Sequence, residues 1–160
     1  MSGYFGTSVT LTGSGDPAQI QGARVTHEFF ETMGVVPFQG RAFTSANGQA
    51  GGERVVVLAH GLWTRRFGGD VAVVGRTIVL NGVSHEVVGV MPPSFKHPAD
   101  AELWIPLAPV GQFAELFRAR GSFWLTIVGR LKPGVTRAAA QSEMDTIAAR
   151  LEKDDPSNAG

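Results

Sequence analysis

The chain has 160 residues and no cysteine, with 14 basic and 14 acidic side chains, a formal net charge of +0, 43% hydrophobic and 18% charged residues. That is enough length and apolar content to bury a real core, and it excludes a wholly disordered chain, thiolate or disulfide chemistry, and a strongly basic nucleic-acid binder. No apolar run reaches the ~18 residues of a membrane-spanning helix and no signal peptide opens the chain, so it reads as soluble as given.

Tyr4 to Thr12 places Val9 and Leu11 on one face and Ser8, Thr10 and Thr12 on the other, the period of a half-buried strand, and Gly13-Ser14-Gly15-Asp16-Pro17 ends it. Ile20 to Val25 supplies a second strand. Thr26 is then the expected N-cap of a short helix with an apolar stripe of Phe29, Phe30 and Met33, closed by Gly34. Residues 35–52 are irregular, punctuated by Pro37, Gly40, Asn47-Gly48 and Gly51-Gly52, before a buried strand Val55–Leu58. Leu62, Trp63, Arg66 and Phe67 fit a helix stopped by Gly68-Gly69. Asn81-Gly82 between Arg76–Leu80 and Val83–Val88 predicts a two-residue type I′ hairpin, with His85 opposite Ile78. Leu103–Pro106 is expected as an edge strand, because proline cannot donate to a central ladder. Phe123–Leu131 reads as another strand, Lys132-Pro133-Gly134 as a turn, and Thr136 as the cap of a last helix carrying Ala140, Met144, Ile147, Ala148 and Leu151 at helical spacing. Gly 21 and Pro 9 favour short strands over a helical bundle. The ends, Met1-Ser2-Gly3 and Asp154–Gly160, read as those of an excised piece, which leaves room for membrane helices outside it.

The candidate chemistry is weak throughout. Gly13-Ser14-Gly15-Asp16-Pro17-Ala18 has the letters of a dinucleotide fingerprint, but Pro17 and Gly22 oppose the helix that would present its N-terminus to a pyrophosphate, so a turn explains it better. No P-loop and no nucleophile elbow occur. His27, His60, His85 and His97 lack the local spacing of a zinc site, and His85 reads as a cross-strand packing residue. Glu143, Asp145, Glu152, Asp154 and Asp155 read as a solvated helix face and tail. Arg65 and Arg66 beside Trp63 and Phe67 fit helix-end cations better than a nucleic-acid contact. Phe113, Leu116, Phe117, Phe123 and Trp124 read as core packing between two lobes, ahead of a partner surface.

The ordered series Val25–Val35, Gly40–Phe43, Val55–Leu58, Leu62–Asp70, Val74–Ile78, Leu80–Gly82, Val87–Pro92, Leu103–Leu107 and Arg130–Thr136 resembles the periplasmic core domain of MacB-type, FtsX-like ABC transporter permeases, in particular the duplicated orphan permeases of Acidobacteria. The likeness runs over roughly residues 20–152. It implies an α+β fold: a porter-like βαβ lobe from both chain ends, residues 1–37 and 120–155, and an inserted, hairpin-rich lobe at 38–119. It further implies a non-enzymatic efflux-type domain on the periplasmic side of a bacterial inner membrane, coupling cytoplasmic ATP hydrolysis to periplasmic movement (mechanotransmission). The implied partners are the flanking membrane helices of the parent permease, a separate ATPase that the domain does not touch, and a periplasmic adaptor, lipoprotein or hydrophobic export substrate. A homodimer is a further expectation; nucleic acid is not one. The resemblance transfers no catalytic, cofactor or metal residue. Two other classes stay open on the residues alone: a stand-alone hydrolase or metal-dependent enzyme using dispersed histidines and carboxylates, and a dimerisation or scaffold domain.

Overall fold

In the computed structural model, residues 1–109, 113–114 and 124–154 are described. The strands are β1 (Ser2–Thr12), β2 (Ala18–Val25), β3 (Gln39–Gly40), β4 (Val55–Leu58), β5 (Thr77–Leu80), β6 (Val83–Val90), β7 (Leu103–Pro106) and β8 (Thr126–Val128); the helices are α1 (Phe29–Met33), α2 (His60–Phe67) and α3 (Arg137–Asp154). All eight strands join one mixed sheet, so the fold is α+β. The sheet closes on itself. Its path runs β2-β7-β4-β6-β5-β1, and β1 also pairs with β2, which makes a six-stranded barrel with β8 added to β1 and β3 to β6.

Alternation along each strand builds two cores. Val9 and Leu11, Ile20, Val56 and Leu58, Ile78 and Leu80, and Leu103 and Ile105 turn inward and fill the barrel. The neighbouring positions Ala23, Val25, Val55, Val57 and Trp104 turn outward and meet Phe29 and Phe30 of α1 together with Phe43. β6 serves both cores through a bulge. Val56 pairs with Val87 but Val57 pairs with Gly89, leaving Val88 as an extra residue. The inward positions therefore run His85, Val87, Val90, while Val88 joins the outer core. Leu62, Trp63 and Phe67 of α2 complete the inner cluster at the end of the barrel where β4 terminates.

The Asn81-Gly82 hairpin forms as expected, with φ of 50° and 76° at its two central residues and Ile78 opposite His85. Asn81 also reaches across to β1: its backbone N–H donates to the Thr10 carbonyl at 2.9 Å, and its Oδ1 accepts from the Thr10 N–H at 2.8 Å. Substituting Gly82→Val is expected to cost about 1 kcal/mol or more, because a β-branched residue resists positive φ. Thermal denaturation followed by circular dichroism should show a melting point lower by about 2–4 °C; an unchanged value would contradict the turn.

Three expectations are corrected. Thr26 does not cap α1: its Oγ1 accepts the Gly3 N–H at 3.1 Å, tying the end of β2 to β1, and Glu28 takes the cap position. Leu103–Pro106 is not an edge strand but lies between β2 and β4, fully buried. Pro106 is tolerated because β4 pairs only with Leu103 and Trp104, so the proline ring sits past the end of that ladder. The Phe123–Leu131 strand is shorter, Thr126–Val128, with Phe123 outside the described residues. The apolar residues that share one side of α3 by their spacing are exposed: Met144 is 54% exposed and Ile147 45%. Thr136 does cap that helix, accepting the Ala139 N–H at 3.2 Å.

Candidate functional site

The sequence-selected histidines are scattered. His27 sits 3.1 Å from Glu28, His60 packs edge-on against Trp63, His97 stacks on Phe29, and His85 points into the barrel. Among the described residues no three His, Asp or Glu side chains gather as a metal site. Glu143 and Asp145 are exposed on α3; the side chains of Glu152 and Asp154, and all of Asp155, fall outside the described residues. Gly13–Asp16 is the turn between β1 and β2, and no helix begins there. Arg65 pairs with Glu102 and Arg66 donates to the Asp16 carbonyl, so both cations are engaged in holding α2 to its surroundings. Phe113 and Trp124 gather around Phe5, at centroid distances of 5.4 and 5.5 Å, whereas Leu116, Phe117 and Phe123 lie outside the described residues.

The arrangement that does form was not visible as a motif. At the end of the barrel away from α2 the strands leave an open cleft of about 650 Å³. β4 runs from this cleft, at Arg54 and Val55, to α2 at the other end, so the barrel is plugged on one side and open on the other. Val9, Leu80 and Ile105 form its apolar floor, and the 47–54 loop forms one wall. Arg24, Arg54 and His85 line it as well.

Each polar group has a structural reason to be there. Arg24 shares the inward parity of Ile20 and Gly22 on β2, and its guanidinium lies 5.1 Å from the centre of the Phe113 ring. Burial pushes that guanidinium below its ordinary value. His85 Nδ1 is 2.9 Å from the Val83 carbonyl. A carbonyl only accepts, so Nδ1 carries the proton and Nε2 is the acceptor of the neutral ring. Burial holds the imidazole below its usual value, Arg24 and Arg54 push it further the same way, and the bond to Val83 opposes them. The carboxylate in the cleft, Glu53, has Arg41 as its cation, 3.8 Å away. Arg24 and Arg54 have no carboxylate within 4 Å among the described residues. The Ile20-Gly22-Arg24 alternation was the available signal for an inward arginine; Arg54, thirty residues later, carried none.

No helix of the described residues is long and apolar enough to cross a membrane. No curated protein matches the chain significantly. The solved structure of the periplasmic region of MacB from Actinobacillus actinomycetemcomitans is similar in fold, with a TM-score of 0.67 at 16% identity over 95% of this chain and 66% of that one. The extracellular domain of the noncanonic ABC-type transporter YknZ from Gram-positive bacteria gives a TM-score of 0.66 at 17% identity, over 96% of this chain and 74% of that one. The chain thus spans slightly less than two thirds of the MacB region it resembles. At these identities the two structures establish the fold, and the family is established separately, by a match of residues 1–147 to the model of the MacB-like periplasmic core domain. The chain belongs to the family of MacB-like periplasmic core domains.

Proposed function

We propose that this domain is a non-enzymatic, mechanical part of an ABC-type transporter permease, carrying movements driven by cytoplasmic ATP hydrolysis to a partner or exported substrate in the periplasm. The family match over residues 1–147 is the observation that carries the reading. The partners we propose are the membrane helices of the parent permease, an ATPase it does not touch directly, and an adaptor, lipoprotein or hydrophobic substrate on the periplasmic side. We also propose that the two chain ends, residues 1–37 and 120–155, act as one unit, which the pairing of Ser2–Tyr4 with Thr126–Val128 supports, and that residues 38–119 are the inserted part, whose strands complete the barrel with β1 and β2.

The cysteine-free sequence offers a clean test. Ser84→Cys on the exposed face of β6, introduced into the full-length parent protein, gives a single thiol in this domain. It is expected to react with a membrane-impermeant maleimide in intact cells, and an environment-sensitive fluorophore there should respond when ATP is supplied to the reconstituted transporter. Labelling only after the membrane is permeabilised would overturn the location. Labelling without any ATP response would overturn the coupling and leave a static scaffold.

A further inference from the structure

We propose that the open mouth of the barrel binds an amphipathic anion, with its acidic head between Arg24 and Arg54 and its alkyl chain along Val9, Leu80 and Ile105. The case rests on a mismatch between charge and solvation. A guanidinium drawn into an apolar surround is costly unless an anion or hydrogen-bond acceptors compensate it; Arg24 has the Phe113 ring beside it but no carboxylate within reach among the described residues. Arg54 stands on the rim of the same cleft, and both arginines act electrostatically on His85, so three cationic or cation-forming groups converge on one opening. Glu53, the carboxylate in the lining, is engaged by Arg41 and does not neutralise them. Behind these heads the floor is aliphatic, formed where Val9, Leu80 and Ile105 of the inner core border the cleft. The volume of about 650 Å³ is in the range of small-molecule sites.

The groups facing His85 set the sign of the pH dependence. Arg24 from β2 and Arg54 from the β4 approach disfavour its protonation, and Glu53 is the one acidic side chain in the lining among the described residues. An anion seated between the arginines cancels part of their field, so binding takes up a proton on Nε2, which then donates to the bound head. Affinity is therefore expected to rise as the pH falls through the ordinary histidine range.

Isothermal titration of the 160-residue chain with dodecanoate, dodecyl phosphate, dodecanol and inorganic phosphate tests this. The two alkyl anions are expected to bind at a single site, more weakly as salt is added. Arg54→Gln, on the exposed rim and checked for native circular dichroism, should weaken them about tenfold, and Arg24→Gln at least as much. The tightening on acidification should vanish in His85→Gln. Tighter dodecanoate points to free fatty acids as the source, tighter dodecyl phosphate to a phospholipid-type head; either supports the site. Dodecanol binding as tightly as dodecanoate, phosphate alone binding as tightly as dodecyl phosphate, or an Arg54→Gln variant with undiminished affinity would overturn it. The site goes beyond the permease reading and is tested separately, since the titration does not depend on where the chain resides.

Discussion

Trp104→Ala is expected to lower the melting temperature by roughly 6–20 °C, or to leave the chain largely unfolded at room temperature. Trp104 is fully buried at the centre of β7, between β2 and β4. Its ring meets Phe30 at 5.7 Å and Phe95 at 5.4 Å, and its Nε1–H donates to the His97 carbonyl at 3.1 Å. Truncation removes the largest side chain of the outer core and leaves a void that the flanking strands cannot close, since each is held in register on both sides. Such tryptophan deletions cost about 3–5 kcal/mol, against a total stability of roughly 5–15 kcal/mol for a domain. A chain of this size loses about 2–4 °C per kcal/mol. Calorimetry on the variant, with Ile127→Ala as control, checks the claim: Ile127 is 55% exposed, and its truncation should cost no more than about 0.5 kcal/mol. If both variants melted alike, the outer core would not be where the structure puts it.

Gly89→Ala is expected to destabilise by about 3 kcal/mol, the upper end for an added methyl group in a packed site. A Cβ at Gly89 would run into the carbonyl oxygen of Arg41, and one at Gly40 into that of Val88. The two glycines pair with each other where β3 crosses β6, so each backbone blocks the retreat of the other. The crossing also lies beside the bulge at Val88, and shifting β6 to relieve the clash would disturb the residues that switch between the two cores. Chemical denaturation should show a lower midpoint with an unchanged slope. A stability within 0.5 kcal/mol of the parent, on the usual scale for surface changes, would mean that the two strands do not approach as closely as described.

The strands, the hairpin and the helix stops were legible because each is written locally, in alternation at Val9 and Leu11, in Asn81-Gly82, or in a glycine after an apolar helix face. Long-range closure was not. Nothing in the Leu103–Pro106 segment indicates that its neighbours are β2 and β4, and the proline argued for the opposite. The helical spacing of Met144 and Ile147 is equally consistent with a buried and an exposed face, because periodicity reports which residues share a side and not what covers it. The cleft is the extreme case. Arg24 comes from β2, Arg54 from the loop before β4 and His85 from β6, so no spacing rule connects them. Even so, the period of β2 contained the hint that Arg24 faces inward with Ile20.

The contact between Asn81 and Thr10 has a consequence for which lengths of chain the fold accepts. Most surface turns absorb an inserted residue at little cost, and the turn between β1 and β2 has open space for one at Gly13. The Asn81-Gly82 turn is different. β1 and β5 share only Leu11↔Leu80 and Thr12↔Val79, and Asn81 extends that short junction with both its backbone and its side chain. One residue added there would carry Asn81 away from Thr10 and loosen the ring where it is thinnest, so the length of this turn is fixed by a strand some seventy residues away.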